Sequence, residues 1–192
     1  ISCSSSTENA TTILSNVELN QASMYMSCAT SRPGSVLMHN TRILNFRSNY
    51  YGIYLYYVKR IEIYDSVLSS ITPSSSYYLP IRMLSDYVYI RDTAIEDNGY
   101  GYHSDEMGIY ISSYNVNIYN SNISNNVGYM SIQATGTTDT VGIYNSIVSQ
   151  GRGPGLRITG GNVEMSDNQI LDNSGYGAYI TASTYAFNNV IT

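Results

Sequence analysis

Apolar and polar positions alternate along this 192-residue chain in one six-residue phrase that recurs eight times, at intervals of roughly 21 to 28 residues. It reads LSNVEL at 14–19, MHNTRI at 38–43, IYDSVL at 63–68, IRDTAI at 90–95, IYNSNI at 118–123, IYNSIV at 143–148, MSDNQI at 165–170 and AFNNVI at 186–191. Each copy opens on an apolar residue, has Asn or Asp third, in most copies a small or β-branched residue fourth, and an apolar residue sixth or beside it. Between the copies lies a second phrase: SMYM at 23–26, GIYL at 52–55, PIRM at 80–83, GIYI at 108–111, SIQA at 131–134, GLRI at 155–158 and GAYI at 177–180. Its apolar residues alternate with polar or aromatic ones, the period of two of a half-buried strand. A fixed period of this length marks one supersecondary unit stacked on copies of itself. Two short strands per repeat, separated by turns, predict a coil.

Helix is the competing element, but β-branched residues, Gly, Asn and Ser dominate and no stretch keeps an i, i+3, i+4 stripe. The prediction is an all-β solenoid, one domain over 1–192, of about eight coils. Val36, Met38, Ile61, Ile63, Val88, Ile90, Val116, Ile118, Val141, Ile143, Val163 and Met165 alternate ahead of the Asn or Asp and are expected to fill its lumen. The Asn and Asp residues, Asn16, Asn40, Asp65, Asp92, Asn120, Asn145, Asp167 and Asn188, fall at equivalent places, so stacking should set them about 4.8 Å apart along one line. Amides at that spacing bond to their neighbours above and below, and Asn tolerates the left-handed backbone of a sharp turn. The three Asp members are expected to interrupt this ladder and bond to backbone N–H groups instead.

The Asn-bearing hexad, together with the Gly-Ile-x-Ile strand, resembles the right-handed parallel β-helix repeats of the pectate-lyase-like superfamily over about residues 12–192. The resemblance implies the fold and leaves activity open, because that superfamily holds polysaccharide lyases, glycoside hydrolases, tailspikes, adhesins and non-catalytic surface proteins. An enzyme on this scaffold would draw on Arg82, Arg157, His103, Asp97, Asp105 and Glu106, several of them in the 97–107 turn. Arg82 and Arg157 lie three coils apart, about 14 Å, too far to share one reacting centre. The Asp-Asp, Gly-His-Gly and Arg-x-Lys motifs of the polygalacturonase-like hydrolases are missing, as is an Asp cluster of the calcium-binding kind. A non-catalytic surface or adhesin-type member is the expectation, with lyase or hydrolase as the alternative.

Composition narrows the partners. A formal net charge of −5 with 12% charged residues offers no basic patch for nucleic acid. The longest apolar stretch, near 53–58, is far short of the roughly 18 to 20 residues of a membrane span. His39 and His103 lack ligand-spaced neighbours, and the glycines at 99–101 and 151–155 suit turns rather than phosphate loops, so neither metal nor cofactor is expected. The chain opens in mid-coil, which suggests a fragment of a longer protein. Cys3 and Cys28 are 25 residues apart, close to one repeat, so stacking would set them side by side. A disulfide between them is the expectation, with two buried thiols as the alternative, and a bridge would imply a secreted or cell-surface location. Asn9 and Asn122 head glycosylation sequons.

Function is sought on the outside of the strands. Tyr25, Tyr54, Arg82, Tyr110, Gln133, Arg157 and Tyr179 are expected to form one outward stripe, rising about 4.8 Å per coil over roughly 29 Å. A second outward column would hold His39, Tyr64, Arg91, Tyr119, Tyr144 and Phe187. Tyr supplies 21 of the residues and Trp none. Rigid amphipathic rings beside Arg and Gln suit a polysaccharide or protein surface, although Tyr also fits any exposed strand through its β propensity. Open coil ends would further allow head-to-tail self-assembly.

Overall fold

The computed structural model describes residues 2–5, 11–21, 24–28, 34–48, 52–73, 79–99, 107–134, 136, 138–151 and 153–192, with the backbone path alone for 2–5, 25–28, 48 and 107. All pairings among its described strands are parallel and join one coil to the next, forming a solenoid of about six turns. A representative coil begins with the long strand Met107–Tyr119, turns at Asn120, continues as Asn122–Ser124 and turns again at Asn125. The long strand bends near its middle, so each coil has three faces. The first face carries the second sequence phrase, the second face the start of the hexad, and the third face its end. The second face holds eight rungs from Thr11–Asn20 to Ala178–Phe187, six of them with a coil on both sides.

The core follows the expected alternation. All twelve predicted lumen residues, from Val36 to Met165, are buried and belong to one apolar cluster that runs the length of the solenoid. Burial of whole Ile, Val, Leu and Met side chains at about 1.5–3 kcal/mol each drives the coil closed.

The corner chemistry explains the grammar of the hexad. All eight predicted ladder residues have left-handed backbone, φ between 46° and 57°, where Asn and Asp are the least strained residues after Gly. Amide bonds run Asn40 to Asn16 at 2.8 Å, Asn120 to Asp92 at 3.2 Å, Asn145 to Asn120 at 2.8 Å and Asn188 to Asp167 at 3.1 Å. Each donor points to the preceding coil. An Asp therefore loses the bond it would donate and keeps the one it accepts, so Asp92 and Asp167 remain in the ladder instead of turning to backbone N–H groups. Asp65, followed by another Asp, faces His39 Nε2 at 3.2 Å.

The fourth hexad residue turns inward. Thr41, Ser66, Thr93, Ser121, Ser146 and Asn168 are buried, and the side chain of one coil accepts the backbone N–H of the preceding one, as in Ser121 to Ser146 Oγ at 3.2 Å and Ser146 to Asn168 Oδ1 at 2.9 Å. Buried N–H groups at the corner thus find partners despite the break in strand pairing. A second left-handed column, absent from the sequence prediction, lies five residues on: Gln21, Asn45, Ser70, Asp97, Asn125, Gln150 and Asp172. Its inward neighbours Asn98 and Asn126 are buried, and the Asn98 N–H donates to Asn126 Oδ1 at 3.1 Å.

Register corrects two expectations. Ser2 pairs with Tyr25, an offset of 23, so Cys3 faces Met26 and Cys28 faces Ser5. The cysteines are therefore diagonal neighbours in the register rather than directly opposite one another. In the outward stripe Ser131, rather than Gln133, pairs with Tyr110 and Arg157. Gln133 stands two residues further along, opposite Ser112 and Thr159.

Candidate functional site

Strand alternation puts every second side chain of the first face outside, and parallel register stacks them. Its described outward rungs run Tyr54, Arg82, Tyr110, Ser131, Arg157, Tyr179, and the backbone of Tyr25 pairs with Tyr54 at the start of the series. Arg82 sits between two rings, its guanidinium carbon 5.5 Å from the Tyr54 centroid and 5.7 Å from that of Tyr110. Arg157 repeats the arrangement, 6.0 Å from Tyr129 and 5.9 Å from Tyr179, and donates to the Tyr129 hydroxyl at 3.3 Å. The flat faces of a guanidinium stack on rings while its edge carries the N–H donors. Each Tyr–Arg–Tyr stack is thus a cation held in place by aromatic walls.

Gln133 joins the stripe by contact rather than register, since the Tyr110 hydroxyl donates to its Oε1 at 2.5 Å. Tyr54 also stacks on Tyr56, centroids 5.6 Å apart. Around Arg157 the surface is concave, a cavity of about 370 Å³ lined by Tyr129, Pro154, Arg157, Tyr176 and Tyr179. Tyr129, Pro154 and Tyr176 escaped the sequence prediction because they sit outside the strand phrase. The Gly- and Pro-rich stretch at 151–155 was the available signal that a turn folds back over the strand there.

The second face differs in chemistry. Tyr64, Tyr89, Tyr119 and Tyr144 form a continuous column with neighbouring centroids 5.4, 5.4 and 4.7 Å apart. The Tyr64 hydroxyl donates to Glu62 at 2.7 Å and that of Tyr144 to Glu164 at 3.1 Å. Partial burial first, and then the adjacent carboxylate, push both phenols up to about 12. Of the predicted second column, Arg91 lies over Tyr64 at 5.3 Å and bonds Asp92 at 3.0 Å, and Phe187 packs beside Tyr185.

The described catalytic candidates, Arg82, Arg157 and Asp97, do not converge. Arg82 and Arg157 are separated by two intervening rungs, and among the described residues no carboxylate lines the Arg157 cavity. Asp97 is a corner residue that accepts the Asn125 amide. His103, Asp105, Glu106 and the Asn9 sequon lie outside the described residues. Asn122 is exposed on the third face. Among the described residues no group of three or more His, Cys, Asp or Glu could hold a metal, and no helix is long and apolar enough to cross a membrane.

A family model for a right handed beta helix region matches residues 27–191. The chain belongs to the right-handed β-helix family. No curated protein and no solved structure matches. The matched span of this β-helix covers most of the first face, including both Tyr–Arg–Tyr stacks.

Proposed function

We propose that this β-helix is a non-catalytic binding module of a secreted or cell-surface protein, and that its first face holds an extended, acidic polysaccharide. Support comes chiefly from one observation, the pair of Tyr–Arg–Tyr stacks on a single face. Tyrosine rings present flat apolar surface to sugar faces, and a ring-flanked guanidinium offers its donor edge to carboxylates. The two arginines, three rungs or about 14 Å apart, suit a polymer read at intervals better than a small molecule in one pocket. The rigid wall beneath removes most of the ordering cost that a loop would add on binding.

The test is a glycan array with wild type, Arg157→Ala and Tyr110→Ser/Tyr179→Ser, run beside assays for lyase and hydrolase products. The proposal expects acidic oligosaccharides to bind, Arg157→Ala to weaken them about tenfold or more, and no products to form. Acidic-glycan binding that survives both variants removes the first face from the account. Product formation abolished by Arg82→Ala or Asp105→Ala would assign the enzymatic alternative.

A further inference from the structure

The second face carries a groove of opposite character. One outer column there runs Glu62, Tyr89, Asn117, Gly142, Glu164, Tyr185 from coil to coil. Gly142 leaves a notch in it, and the Tyr144 ring lies back across the notch. A Cβ at position 142 would meet Tyr144 Cε2 at 2.5 Å and Asn117 Oδ1 at 2.8 Å, so this ring position requires glycine. Lying there, the ring delivers its hydroxyl to Glu164 Oε2 at 3.1 Å and fixes the carboxylate. Beside the pair opens a cavity of about 490 Å³, walled in part by Asn117, Thr140, Glu164 and Tyr185. That volume is within the range of small-molecule sites, about 300–1,000 Å³.

We infer that this groove binds a neutral saccharide unit, with Tyr185 stacking on a sugar face and Glu164 and Asn117 hydrogen-bonding its hydroxyls. Tyr185 is 67% exposed, an aromatic platform open to solvent. The Glu164 carboxylate has several lone pairs and spends one on Tyr144, which leaves acceptors for sugar O–H groups, while the Asn117 amide both donates and accepts. Among the described residues Glu164 is the one charged residue lining the groove, so a carboxylate-bearing sugar is repelled there and a neutral one is not. A single carboxylate is half of the pair that glycosidic hydrolysis uses, so the chemistry offered is binding. The Tyr144 phenol, pushed up to about 12, stays a donor to Glu164 throughout the neutral range.

The experiment is isothermal titration with hexamers of glucose, mannose, galactose and galacturonate, using wild type, Tyr185→Ala, Glu164→Ala and Glu164→Gln. At least one neutral hexamer should bind at millimolar concentration or below. Tyr185→Ala and Glu164→Ala should each weaken it about five- to tenfold, with circular dichroism unchanged. Glu164→Gln should lose less for the neutral hexamer, since the amide oxygen still accepts. Lack of binding by all three neutral hexamers at millimolar concentration would overturn the inference, as would wild-type affinity in both Tyr185→Ala and Glu164→Ala. Hexagalacturonate binding and its loss in Arg157→Ala report separately on the first face, so the two proposals fall independently.

Discussion

The first and second faces are built on the same strands and differ in what their outer columns carry. On the first, rings alternate with cations, as in Tyr54–Arg82–Tyr110 and Tyr129–Arg157–Tyr179. On the second, rings run unbroken from Tyr64 to Tyr144 and carboxylates cap their hydroxyls. The wall beneath both is the same stack of Ile, Val and Met. Stability therefore belongs to the inside, and the proposed choice of ligand rests on single outward positions.

The largest effect should come from breaking the shared wall. Ile118 is fully buried, and Ile118→Ala should cost about 2–5 kcal/mol by leaving a cavity between tightly stacked rungs. Denaturant unfolding measures it, and binding at both faces should fail together as the stack loosens. Next comes the corner. Asn126 is buried, accepts the Asn98 N–H and donates to the Ile95 carbonyl at 2.9 Å. Asn126→Ala removes the acceptor of the buried Asn98 N–H and should cost about 1–3 kcal/mol, whereas its exposed neighbour Asn125→Ala should cost less. Equal losses at 125 and 126 would show that the inward amide is not what closes the corner.

These corners also show how far the sequence could be read. The Asn and Asp column was legible because left-handed backbone restricts residue type, and all eight members sit where the hexad predicted. The second column, with Gln21, Ser70 and Gln150 among its members, was not, because its outer residues vary and the restricting amides sit one position inward at Asn98, Asn126 and Asn173. Register failed for a related reason. A slip of two residues keeps every side chain on its own face, so alternation alone placed Gln133 on the wrong rung and set Cys3 against Cys28. The Arg157 cavity depends on Tyr129 at the very start of its strand and on Pro154 and Tyr176 between strands, and a period-two pattern carries no information about those positions.

Smaller effects separate the faces. Tyr119→Ser interrupts the second-face column, where Tyr119 stacks on Tyr144 at 4.7 Å, and should cost about 1 kcal/mol or less. First-face binding should be unaffected, and a loss as large as that of Ile118→Ala would reverse the inside and the outside. The smallest signal is titrimetric. Tyr64 and Tyr144 have pKa values raised to about 12 against an unfolded value near 10. Their contribution to stability is thus complete below about pH 10 and is lost as pH rises through about 12. In ultraviolet titration the late-ionising steps of wild type should be missing from Tyr64→Phe and Tyr144→Phe, and unchanged curves would mean that those phenols are not held protonated by burial and by Glu62 and Glu164.

The most direct test of the two-face account is tyrosine footprinting by hydroxyl radicals, with and without hexagalacturonate, read residue by residue in mass spectra. The account predicts protection at Tyr54, Tyr110, Tyr129 and Tyr179, and unchanged labelling at Tyr64, Tyr89, Tyr119 and Tyr185. Protection of the second-face column by the acidic oligosaccharide, with the first face labelled as before, would contradict it.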